Sequence, residues 1–146
     1  MNSNKKISTR FIAAPQISRQ VGIALALACQ LPLACAAGDV VAGRALFLSL
    51  TCASCHAVGP GARAGFGPQL NGIFGRAAGS TIDYKERYSE AMKKSGIVWA
   101  EQNLTKFINS PSRVVPGTNM RFWGVGDEMK VANLLAYLRS FPSDPK

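Results

Sequence analysis

Apolar residues return at helical spacing in three stretches of the chain. Between Gly38 and Leu50, Val40, Gly43, Phe47 and Leu50 recur at three and four residues, with Asp39 near the start, which predicts a first helix. Glycine weakens a helix, yet at Gly43 the missing side chain also lets another helix approach closely. Glu101 to Asn109 places Leu104, Phe107 and Ile108 on one face, and Pro111 is expected to end that helix. Asp127 is suited to cap a last helix running to about Ser140, with Glu128 in its first turn, Arg139 in its last and Pro142 just beyond. Its apolar stripe reads as Met129, Leu134, Leu135 and Leu138, with Tyr137 beside it. Helix formers over Tyr84 to Ser95, stopped by Gly96, predict one more helix.

The stretches between these have no period. Gly59 to Pro68 is too rich in glycine and proline for regular structure and reads as a loop wrapped around something. Val114 to Phe122 reads as extended, followed by Trp123 and Gly124. No internal repeat, low-complexity tract or linker interrupts residues 38 to 146. A chain of 146 residues allows one domain. Few apolar side chains remain for its core, so a bound apolar group has to supply volume, and without it the chain is expected to fold poorly.

The beginning of the chain has a different character. Lys5, Lys6, Arg10 and Arg19 precede an almost wholly apolar run from Val21 to Leu33, and Ala34-Cys35-Ala36 offers a small-x-small cleavage site. Residues 1–36 are expected to be a cleaved export signal, with cleavage after Ala37 the near alternative, and 37–146 the functional domain. A retained membrane anchor is the runner-up, but the run is shorter than the roughly 20 residues of a spanning helix. Lipid attachment at Cys29 or Cys35 is disfavoured, because Ala26 and Pro32 stand where a lipobox wants leucine. Four of the 17 basic residues lie in the leader, leaving 13 against 8 acidic ones, so the mature surface is mildly basic. Nucleic acid is not implied, since no Lys/Arg run exceeds Lys93-Lys94 and no recognition motif accompanies the charge.

Chemistry concentrates in Cys52-Ala53-Ser54-Cys55-His56. On a helix, residues three apart share a face, so Cys52 and Cys55 can each form a thioether to one haem vinyl group, with His56 beneath the iron. A Cys-x-x-Cys pair also occurs in redox dithiols and zinc sites. The chain has one histidine, and its other cysteines, Cys29 and Cys35, lie in the leader, which leaves zinc short of ligands. A redox dithiol would need a βαβ setting that the pattern does not offer. Leu70, Ile73 and Phe74, set within a glycine-rich stretch, are then expected to bury against the haem. With the leader removed, the haem consumes the remaining thiols, so an oxidising compartment poses no disulfide problem.

The order of motifs resembles a class I c-type cytochrome, similar to mitochondrial cytochrome c and bacterial cytochrome c2, over about residues 38 to 141. The resemblance rests on Gly43 and Phe47, the Cys52-x-x-Cys55-His56 motif, Gly67-Pro68-Gln69-Leu70, Gly75-Arg76, Tyr88, Trp99, Pro111, Pro116-Gly117-Thr118-Asn119-Met120, and Leu134-x-x-Tyr137-Leu138. It implies an all-α, small monohaem fold in which the N- and C-terminal helices cross at Gly43/Phe47 and Leu134/Tyr137 and loops wrap one covalently attached haem c. It implies His56 and Met120 as iron ligands, with the Pro68 carbonyl accepting the His56 N–H. It also implies haem propionates near Arg76, Tyr88, Trp99 and Thr118. A thioether ligand is soft and favours Fe(II), so His/Met ligation raises the reduction potential relative to two nitrogen ligands.

This sequence departs from the family pattern in places. Phe107 stands where the family usually has tyrosine and Met92 where it has asparagine, which thins the polar network beside the haem. Thr51, Ser112 and Asn119 replace lysines common around the haem edge, while Arg63, Arg113 and Arg121 keep some positive charge and Trp123 adds an aromatic. The implied function is electron transfer rather than enzymatic catalysis: a periplasmic, monomeric shuttle between a membrane complex and an oxidase or reductase in a respiratory or other redox chain. Two alternatives are a haem subunit of a larger oxidoreductase and, ranked below it, a haem peroxidase or gas sensor, which needs an open iron position.

Overall fold

In this computed structural model the described residues are 38–143, and the expected export leader at 1–36 lies outside them. They are helical, with no strand beyond a single antiparallel bridge between Ala77 and Val98. Among the described residues, no helix is long and apolar enough to cross a membrane.

Helix α1, Val40–Ser49, begins where Asp39 turns its carboxylate onto the N–H groups of Val41 and Ala42 at 2.7 and 2.9 Å, satisfying donors that a helix start leaves unpaired. A 3₁₀ turn, Cys52–Ser54, follows. The predicted helix over Tyr84 to Ser95 is instead two short pieces, a 3₁₀ turn Ile82–Arg87 and helix α2, Glu90–Lys93. Tyr88 between them is extended, and Ser89 caps α2 by accepting the Met92 N–H at 3.2 Å. Local capping and the contacts of residues 83–87 described below outweigh helix propensity here. Gly96 does adopt the left-handed conformation, φ +65°, expected of a stop.

Helix α3, Glu101–Asn109, has the predicted bounds. Ala100 has no capping side chain, but Asn103 reaches back to accept the Ala100 N–H at 2.8 Å while its amide donates to the Val98 carbonyl at 2.7 Å. Pro111 opens a further short helix, α4, Pro111–Val114, which was not predicted and meets the stretch expected to be extended only at Val114. At the first position of a helix the missing N–H of proline costs nothing. Helix α5, Glu128–Arg139, is capped by Asp127 through the Lys130 N–H at 3.1 Å.

Helices α1 and α5 pack together at Gly43, where any Cβ would strike the Asn133 carbonyl and come within 2.8 Å of the Tyr137 Cβ. Phe47 and Tyr137 meet beside it with ring centroids 5.5 Å apart. The buried stripe of α5 is Val131, Leu134, Leu135 and Leu138; Met129, assigned to it from the sequence, is 57% exposed, and Val131 takes its place. Twelve buried residues form the core cluster. Eight of them (Phe47, Ile73, Met92, Trp99, Leu104, Phe107, Leu134 and Leu138) also line one cavity, so the core is built around a space rather than filled by its own side chains.

Candidate functional site

The cavity measures about 500 Å³ and has a mainly apolar lining. The nine residues expected to attach, ligate or surround the haem all line it: Cys52, Cys55, His56, Pro68, Arg76, Tyr88, Trp99, Thr118 and Met120. They come from four separate stretches, brought together by the helix packing.

The first stretch leaves α1 through Thr51, the one described non-glycine residue with positive φ, at +59°. Cys52 and Cys55 follow in the 3₁₀ turn and its cap, where side chains three apart fall in register. Both are free thiols, Cys52 half-buried and Cys55 exposed. Burial pushes the Cys52 thiol up, with Cys55 adding to the rise and a backbone hydrogen bond opposing it. That is the reverse of the depressed pKa that activates a redox dithiol. Among the described residues no three His, Cys, Asp or Glu side chains gather as a metal-binding cluster.

His56 is held by the returning loop. Gly67 N–H donates to the Cys55 carbonyl at 2.8 Å, Leu70 N–H to Ala57 at 2.9 Å, and between them the Pro68 carbonyl lies 2.7 Å from His56 Nδ1. A carbonyl only accepts, so Nδ1 carries the proton and Nε2 keeps its lone pair. Burial holds the imidazole below its usual pKa, against the Pro68 bond, and the Arg76 charge adds to the lowering. Gly67 lies flat against the ring: a Cβ there would come 2.8 Å from Nδ1.

The second wall carries the polar groups. Arg76 donates to the carbonyls of Gln69 at 2.9 Å and Asn71 at 3.1 Å, and no described carboxylate lies within ion-pair distance of it. Burial lowers its pKa, with Tyr88 and Asp83 opposing. A partly buried guanidinium whose protein partners are only carbonyls suits an anionic ligand group. Tyr88 O–H bonds to Thr81 Oγ1 at 2.9 Å, and burial pushes the phenol up. Trp99 is buried against Phe107, ring centroids 4.9 Å apart, and its N–H and carbonyl bond the backbone at Arg76 and Gly75 at 2.9 and 2.7 Å.

The last stretch, Thr118 to Phe122, brings in Met120, whose N–H bonds Thr118 Oγ1 at 3.3 Å. Met92 lines the same cavity, so two thioethers face it. Leu70 and Ile73 also line it as expected, but Phe74 does not: the Arg139 guanidinium covers its ring at 4.2 Å, and Arg139 also pairs with Glu101 at 2.6 Å. Trp123 is fully exposed. Sequence reasoning missed the contact of Gly67 with the imidazole and the bonds that residues 83–87 make to the loop; no local pattern marks either.

A cavity of this size, with two thiols, an imidazole presenting a free Nε2, thioethers, apolar walls and the partly buried Arg76 guanidinium without a carboxylate partner, fits haem with its two carboxylates. The family model described as Cytochrome c matches residues 40–142. The chain is 44% identical to cytochrome c2 of Blastochloris viridis over 109 residues, 75% of this chain and 83% of that protein. It is also 44% identical to cytochrome c2 of Rhodoblastus acidophilus over 108 residues, 74% of this chain and 97% of that protein. Among solved structures, cytochrome cH from Methylobacterium extorquens superposes with a TM-score of 0.64 at 38% identity, covering 70% of this chain and 99% of that one.

Proposed function

Because the chain belongs to the cytochrome c family, as a class I member similar to bacterial cytochrome c2, we propose that it is a periplasmic shuttle passing single electrons from a membrane complex to an oxidase or reductase. It is a monohaem electron carrier and not an enzyme, with one haem c attached covalently per chain. When bound, haem c supplies the one-electron Fe(III)/Fe(II) couple.

In this reading Cys52 and Cys55 would hold the haem through two thioether links, and His56 Nε2 and the Met120 sulfur would bind its iron. Arg76, Tyr88, Trp99 and Thr118 would receive the propionates. The carrying observation is the 2.7 Å contact of His56 Nδ1 with the Pro68 carbonyl, because it fixes the tautomer and frees Nε2 for the cavity. The apolar walls exclude water and keep reorganisation small when the charge changes. With both His56 and Met120 as ligands the iron would be closed to small molecules, which suits a carrier. Residues 1–36 serve as the export signal, residues 37–146 are the cytochrome domain, and the mature protein works as a monomer.

Since Met92 and Met120 both face the cavity, the decisive test separates them. Met120→Ala in the haem-loaded protein should abolish the sulfur-to-iron charge-transfer band, lower the potential and admit carbon monoxide, while Met92→Leu should do none of these. Retention of the band in Met120→Ala would refute the ligand assignment. The size of the natively purified protein checks the shuttle: elution in a larger complex would favour a bound subunit.

A further inference from the structure

The 3₁₀ turn Ile82–Arg87 grips the loop beside His56 with three side chains. Asp83 Oδ2 accepts the Ala64 N–H at 2.8 Å, Arg87 Nη1 donates to the Gly65 carbonyl at 2.6 Å, and Tyr84 O–H donates to the Phe66 carbonyl at 2.6 Å. Three successive loop residues are thus each tied to the same turn. The Arg87 guanidinium also lies 4.3 Å over the Tyr84 ring and donates to the Asp83 backbone carbonyl at 3.3 Å, so it is held within the turn. Tyr84 is buried, whereas Asp83 and Arg87 are exposed, so the two outer bonds compete with water and the grip depends on all three together.

The next two residues of the loop are the ones that touch the imidazole. Gly67 lies against the ring, and Pro68 accepts from Nδ1. Gly65 N–H also donates to the Gly67 carbonyl at 2.9 Å, so residues 64–68 are linked as a unit. A displacement of residues 64–66 is therefore passed to His56 within one or two residues.

We propose that Asp83, Tyr84 and Arg87 are positioning residues for His56, holding residues 64–66 so that Gly67 stays against the ring and the Pro68 carbonyl stays on Nδ1. The inference rests on the reading that His56 is an axial haem ligand. An N–H bonded to a carbonyl makes the imidazole a stronger electron donor, which stabilises Fe(III). Loosening the turn weakens that bond, so the potential rises.

The test uses the haem-loaded full chain. Tyr84→Phe, Arg87→Met and Asp83→Ala are compared singly, together with the Tyr84→Phe/Arg87→Met pair and Asp83→Asn, which keeps an acceptor for Ala64. Each loss variant should speed hydrogen exchange of the His56 Nδ1–H and the Gly67 amide, by about tenfold for loss of a charge-assisted bond. Each should also shift the potential upward, the pair more than either alone, and Asp83→Asn should restore values close to those of the unmodified protein. Arg139→Met is the control: it breaks an equally short ion pair and a ring contact that involve no residue of the loop. It should lower stability without moving the potential or the His56 proton. An unchanged potential and unchanged exchange in the double variant would overturn the proposal, as would an equal shift in Arg139→Met, and either leaves His56 ligation standing. Absence of iron-shifted His56 ring resonances in the unmodified protein would instead remove the ligand reading, and the inference with it.

Discussion

Replacing Gly43 by alanine sets two effects of opposite sign against each other. Alanine is favoured over glycine inside a helix by about 1 kcal/mol, so propensity alone predicts a more stable protein. The added Cβ, however, would strike the Asn133 carbonyl and lie 2.8 Å from the Tyr137 Cβ, where carbon contacts settle at about 3.5–4.0 Å. Neither neighbour is the end of a flexible side chain, so α1 and α5 must part by a large fraction of an ångström. That movement opens the packing of Phe47, 4% exposed, against Tyr137 and stretches the 2.8 Å bond from Asp39 N–H to Asn133 Oδ1. Overpacking costs about 1–3 kcal/mol and a weakened hydrogen bond about 1 more, so after the propensity gain the net loss is about 2 kcal/mol. For a domain of this size that lowers the melting temperature by roughly 10 °C. Guanidinium unfolding of the haem-loaded protein, followed by far-ultraviolet circular dichroism, measures it: the midpoint should fall with little change in slope. Ala45→Gly, at an exposed site of the same helix, calibrates the propensity effect at about 1 kcal/mol of loss. If Gly43→Ala gained stability, the close approach of the two helices would not be the reason for the glycine.

Two further outcomes are expected. Thr51 holds a β-branched side chain at φ +59°, a conformation that costs an L residue about 1–2 kcal/mol and that asparagine adopts more readily, so Thr51→Asn should stabilise the haem-loaded protein by about 1 kcal/mol; an unchanged or lower denaturation midpoint would show that no strain is stored there. Burial raises the Tyr88 pKa, so as pH rises past about 10 the unfolded chain loses this proton first and stability falls until the folded protein ionises too; Tyr88→Phe should flatten that fall, and identical slopes of midpoint against pH would contradict it.

The sequence by itself determined the parts whose causes are local. Asp39 and Asp127 cap helices through donors two or three residues away, and the apolar spacing over 101–109 depends on nothing outside it, so α1, α3 and α5 could be read directly. The haem motif was legible for the same reason, its two thiols and imidazole falling within five residues. Met120, Arg76, Tyr88, Trp99 and Thr118 could be named only through the family resemblance, because nothing local distinguishes Met120 from Met92, which also faces the cavity. Tertiary structure decided the rest. The predicted helix at 84–95 breaks because Asp83, Tyr84 and Arg87 bond residues about twenty positions earlier while Ser89 caps a new turn. Phe74 leaves the cavity for Arg139, and Val131 replaces Met129 in the core, since burial depends on which face of α5 the distant α1 covers. Gly67 is fixed by an imidazole eleven residues before it. Apart from the local Ser89 cap, the deciding contact in each case joins groups far apart in the chain, and its energy exists only once the chain has packed.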